Sequence, residues 1–202
     1  MGTQHLARVR AALAAREPAR VPDAVSSRAA VAVILRAGST GLEVLFIRRA
    51  EDPRDPWSGQ MAFPGGRAEP GDAALQVTAV RETAEEIGLD LGRDAEYLGA
   101  LDEVRAIARL RPMDLTITPF VFHLRGEAGM RFSEEVTAIH WLPLASLVSL
   151  EARSSFDYHH EGGVLSFPCL RVQEVMIWGL TYRMLGNFTA LLAETHAEGP
   201  RP

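Results

Sequence analysis

Lysine is missing from the 202 residues, cysteine occurs once, and no apolar run reaches the roughly 18 residues that a bilayer-spanning helix needs. No membrane is therefore expected as a partner. The single Cys169 excludes an intrachain disulfide framework and fits a reducing compartment, so a cytoplasmic location is expected. Lying in the apolar run VLSFPCL, Cys169 reads as a small buried hydrophobe rather than a nucleophile. A net charge of −5 removes any broad attraction to nucleic acid. All 21 basic residues are arginines, which suit bidentate contacts to the phosphates of a small ligand.

What is present is ordinary for a water-facing globular chain: 47% hydrophobic and 23% charged, enough for one well-packed domain. The first 22 residues are rich in Ala and Arg and could be read as a transit peptide, but Ser is lacking and Leu6, Val9 and Leu13 keep helical spacing. An amphipathic helix ended by Pro18 is expected, followed by a Pro-flanked linker to Ser27. Ala29–Ala37 and Leu42–Ala50 read as strands joined by the turn GSTG, and a two-proline loop then leads to the short apolar piece QMAF.

From about Ala73 to Ile87 the periodicity is helical, with Val77, Val80, Ala84 and Ile87 as the expected apolar face, Asp72 as N-cap and Gly88 as terminator. YLGALDEVRAI, LTITPFVFHL and EVTAIHWLPL read as strands, PLASLVSL as a short helix, and EVMIWGLTYRMLGNFTALLAET as one long helix with Trp178, Tyr182 and Leu185 roughly aligned. There is no internal repeat. Strands and helices mix without regular alternation, which predicts an α/β or α+β sandwich with a mixed sheet rather than a doubly wound fold.

The chemistry concentrates in GQMAFPGGRAEPGDAALQVTAVRETAEEIGL, Gly59 to Leu89. Glu82, Glu85 and Glu86 are spaced to share a helical patch, where like charges repel by about a few tenths of a kcal/mol per pair. Three acids on a helix are usually a solvated face, with Arg81 pairing to Glu85. The preceding FPGG changes the balance, because adjacent glycines let backbone groups approach a ligand closely. An oxygen-only cluster without histidine suits Mg²⁺ or Mn²⁺ and argues against zinc.

At these residues the chain resembles the Nudix hydrolase family. RETAEEIGL, Arg81 to Leu89, is similar to the second half of the family's box, with Thr83 in a hydrophobic slot. Gly66 plus five residues reaches Asp72, where the family has Glu, and Asp72 lies one residue too far from Arg81. The resemblance implies a Nudix α/β/α sandwich with a mixed β-sheet over 28–196, preceded by a helix and linker over 1–27 and followed by a tail over 197–202. It also implies metal ligation by Glu82, Glu85, Glu86 and the Gly66 carbonyl, and an orienting role for Arg81.

Catalytic roles are expected for Arg81 and Glu85, and for Glu135 as the general base, with Glu134 beside it as a second loop acid. GQMAFPGG and the preceding LEVLFIRRAEDPRDPWSG resemble coenzyme A diphosphatases. That likeness implies coenzyme A or acyl-CoA as the nucleotide substrate, with Arg48, Arg49, Arg54, Phe63 and Gly65 at the substrate. ADP-ribose, NADH and dinucleoside polyphosphates remain alternatives, as does a non-catalytic ligand-binding module. A homodimer is compatible with the sequence.

Overall fold

The computed structural model describes residues 2–21, 26–55, 57–108, 111–160 and 162–197. Its spine is β1 (Ser27–Ala37), whose burial runs almost unbroken because both faces are covered. Along its C-terminal end β1 pairs antiparallel with β2 (Leu42–Arg49). Along its other edge it runs parallel to β7 (Arg111–Leu124) over nine residue pairs, from Ser27 opposite Leu115 to Leu35 opposite His123. β5 (Ala95–Ala100) and β6 (Val104–Ala108) pair antiparallel with β7, while β3 (Met61–Ala62) and β8 (Val136–Pro143) pair with β2. The sheet is therefore mixed, as the sequence predicts. YLGALDEVRAI, expected as one strand, is divided between β5 and β6, which cross to different stretches of β7.

Alternation along β1 sorts its side chains into two layers. Ala30, Ala32 and Ile34 pack with Ala79 and Ile87 of α2 (Leu75–Ile87). Val31, Val33 and Leu35 pack on the opposite face with α1 (Gly2–Ala14) and α5 (Gly179–Ala197). Leu6, Val9 and Leu13 of α1 are buried there, so the first helix shares the core of the following domain rather than standing off from it. α3 (Leu91–Asp94) and α4 (Leu144–Val148) are single-turn connectors.

The C-terminal third departs from expectation. β9 (Arg153–His160), β10 (Gly163–Val172) and β11 (Val175–Trp178) form a separate antiparallel sheet. Val175 to Trp178, expected as the first turn of the last helix, is a strand. Gly179, with φ of 62°, makes the corner into α5, so Trp178 does not belong to the helical face of Tyr182 and Leu185. Cys169 is buried and unpaired on β10, as expected.

Candidate functional site

β4 (Gly65–Arg67) leaves the FPGG turn and pairs antiparallel with the start of β1, setting Gly65 opposite Val31 and Gly66 opposite Ala30. Gly65 has φ of 148°, and a Cβ there would collide with the Ala30 carbonyl. A Cβ on Gly66 would fall on the Glu82 carboxyl group. The glycine pair thus lets strand backbone and helix carboxylate meet without a side chain between them.

α2 ends as predicted, with Gly88 in the left-handed region and its N–H donating to Ala84. Its start differs. Ala74 is the N-cap residue and Asp72 caps nothing; instead Asp72 accepts from Arg81 Nε and Nη2 (both 3.1 Å), from Thr78 Oγ1 (2.8 Å) and from the Glu69 N–H (2.9 Å). A carboxylate this well supplied with donors makes a better partner for a guanidinium than for a helix end. Arg81 hydrogen bonding, above all, holds its carboxyl far below the usual range.

The buried residues of α2 are Thr78, Ala79, Thr83, Glu86 and Ile87; of the expected apolar face Ile87 is buried and Val80 packs partly buried against the core, while Val77 and Ala84 are exposed. Glu86 turns toward β4, on the same side of the helix as Ala79 and Thr83. Thr83, in the hydrophobic slot of the motif, is buried with its hydroxyl donating to the Ala79 carbonyl at 2.7 Å.

Glu86 is 4% exposed. One oxygen accepts from the Gly65 N–H at 2.8 Å, and the other lies 3.9 Å from the Arg49 guanidinium. Burial pushes the carboxyl up to about 8; Gly65 and Arg49 oppose the shift, while Glu82 and Glu135 add to it. Glu82 is raised too, by burial first, with Arg81 opposing. Arg81 Nη1 donates to Glu82 at 3.0 Å and to the exposed Glu85 at 3.1 Å, and Nη2 donates to the Arg67 carbonyl at 3.0 Å.

The expected residues therefore converge unevenly. Glu82, Glu86, Gly65 and Gly66 meet, Arg81 and Glu85 border them, and Glu135 is near enough for its charge to act on both Glu82 and Glu86. Of the expected substrate residues, Arg49 is held by Asp55 at 2.8 Å beside Glu86, Arg48 is exposed, and Arg54, 91% exposed, pairs with Asp52. Phe63 is buried and stacks on Phe46, ring centroids 4.9 Å apart, so it anchors the loop in the core. Asp55 is a supporting residue that sequence reasoning missed, and Asp72 one that it assigned to the helix cap instead of to Arg81. Their signal lay in spacing to Arg49 and Arg81, readable only once the loops close.

Among the described residues no three carboxylates or imidazoles converge on one point as a metal cage would require. Arg81 lies between Glu82 and Glu85, supplying the positive charge. The donor set nevertheless fits a hard divalent cation: oxygen ligands only, two of them with carboxyl groups raised by burial, and a glycine whose missing side chain leaves room against Glu82.

Fold and site together define a mixed-sheet sandwich that presents a carboxylate helix to a glycine-lined strand. The NUDIX domain family matches residues 26–160. An uncharacterised protein of Schizosaccharomyces pombe is 40% identical over 114 residues, spanning 55% of this chain and 35% of that protein, so the match covers about a third of that relative's length. The uncharacterised Nudix hydrolase NudL of Yersinia pestis is 33% identical over 167 residues, 78% of this chain and 76% of that protein. A crystal structure of a C. elegans Ap4A hydrolase binary complex superposes with a TM-score of 0.55 at 18% identity, covering 83% of this chain and 98% of that one. The chain belongs to the Nudix hydrolase family, whose members generally work with divalent metal ions. Among the described residues no helix is long and apolar enough to cross a membrane.

Proposed function

We propose that the chain hydrolyses the diphosphate linkage of coenzyme A or an acyl-CoA, giving 3′,5′-ADP and the corresponding 4′-phosphopantetheine. The observation that carries the hydrolytic reading is the meeting of Glu82 and Glu86 with the Gly65–Gly66 backbone. Glu82, Glu85, Glu86 and the Gly66 carbonyl would hold Mg²⁺ or Mn²⁺. Such an ion, when bound, neutralises phosphate charge and lowers the pKa of water.

The chain's own residues do the rest. The Gly65 N–H and Arg49 fix the Glu86 carboxylate, and Arg81, locked by Asp72, orients Glu82 and Glu85. Glu135 is the base that takes the proton from the attacking water. Arg48 and Arg54, on the strand and loop that lead into GQMAFPGG, are the cations for the coenzyme A phosphates. That segment is what favours coenzyme A over other nucleotides.

A substrate panel of coenzyme A, dephospho-CoA, ADP-ribose, NADH and diadenosine polyphosphates tests the reading. One charge-assisted contact to the 3′-phosphate should make kcat/KM for coenzyme A about ten- to a hundred-fold higher than for dephospho-CoA. Equal rates would remove the 3′-phosphate site, and a preference for ADP-ribose would move the substrate to another class. Excess EDTA should stop turnover and Mg²⁺ or Mn²⁺ restore it. Turnover of no nucleotide at all would leave a ligand-binding module.

A further inference from the structure

The sheet face opposite α2 carries a cavity. Between α1, α4, α5 and β10 lies a cleft of about 650 Å³, within the range that holds a small organic ligand. Its wall is aliphatic, built from Val9, Leu42, Leu144, Leu147, Leu170 and Leu185. All six belong to the core layer shared with α1 and α5, whereas α2 contributes Ala79 and Ile87 to the other layer. The sheet therefore separates this cleft from the glutamate helix.

Charge in the cleft is of one sign. His5, Arg8 and Arg153 line it, and among the described residues no Asp or Glu does, in a chain whose net charge is −5. Among the described residues the Arg153 side chain has no hydrogen bond or ion pair. Gly186 lines the same cleft from the interior of α5, where alanine would be the more favourable helix residue. A Cβ on Gly186 would meet nothing within 4 Å, so crowding does not demand glycine there.

We propose that this cleft binds a single-chain amphiphile of the fatty-carboxylate class, with the hydrocarbon against the aliphatic wall and the carboxylate at Arg153 and His5. A peptide occupant would bury backbone donors and acceptors against a wall that offers them little, at a free-energy cost. A hydrocarbon chain carries no such groups, and its single charge is the complement of the cations present.

The test is calorimetric titration of laurate into the full chain, with dodecanol as the uncharged analogue. Saturable one-to-one binding of laurate is expected, with dodecanol at least about tenfold weaker and Arg153→Gln weakening laurate by about ten- to a hundred-fold. Gly186→Leu, which adds a bulky side chain to the lining, should weaken laurate at least about tenfold while leaving nucleotide hydrolysis intact. If that variant does not fold, Arg153→Gln decides alone, since Arg153 is exposed. Absence of saturable binding, equal affinity for dodecanol, or unchanged affinity in either variant would overturn the proposal. So would laurate affinity that falls as light scattering shows self-association, because the cleft would then be a contact between copies.

Discussion

Glu86 is a carboxylate kept where water barely reaches it, with one N–H and a distant guanidinium as its compensation. Burying charge on those terms is unfavourable for the fold, which is why the carboxyl is pushed up toward protonation; a bound cation would offset the cost with the charge kept. Stability and activity should therefore part company in Glu86→Gln. The amide is the same size and can still accept from Gly65, so Tm without added metal should stay level or rise, while kcat falls at least about a hundredfold. Parallel loss of both would mean that the carboxylate is structural. Asp72 behaves in the opposite way. Arg81 holds it ionised well below the ordinary carboxylate range, so its contribution to stability is present above the unfolded-state pKa and is lost as pH falls toward the folded value. Asp72→Asn should lower Tm at neutral pH and shrink the difference between neutral and strongly acid Tm. It should also reduce kcat by loosening Arg81. A variant whose Tm changed equally at both pH values would refute the pairing.

The strand–turn–helix element makes two neighbouring glycines separable. Gly65 faces fixed backbone, so Gly65→Ala should yield little folded protein. Gly66 faces only the end of a movable glutamate, so Gly66→Ala should fold with a Tm close to wild type and lose most turnover as Glu82 is displaced. Equal Tm losses in the two variants would argue against a site-specific role for Gly66. This element was the most legible part of the chain, because Arg81, three glutamates and Gly88 announce chemistry and helix end together. The inward rotation of Glu86 was not legible, since periodicity assigns a glutamate to water and Val77 to the core. The second sheet was missed for a related reason. Val-Met-Ile-Trp before Gly179 is too short an apolar run to distinguish strand from helix, and Pro168 weakens the strand signal of VLSFPCL. Pairing with β10 decides it, and pairing is invisible from within either segment.

At the scale of the whole molecule, α1 is a stabilising clamp on the face away from the glutamates. Leu13, buried against Gly99 of β5, ties the chain's start to its middle. Leu13→Ala should cost about 2–4 kcal/mol of stability in denaturant unfolding, with kcat at low temperature unchanged. A loss under half a kcal/mol would show that α1 rests on the sheet without supporting it.

The parallel seam between β1 and β7 has a further consequence, for when the enzyme comes into being. Ser27 meets Leu115 and Leu35 meets His123, so the strand that seats the glycine pair has no neighbour on that edge until the chain has been made well past its midpoint. Closing so long a loop is the slow, entropically opposed kind of step in folding. During synthesis the box helix can form early, yet its glutamates have no fixed strand to face. The nascent chain thus carries the box glutamates for some time before they have a fixed strand to face, and that strand gains its second edge only when β7 docks.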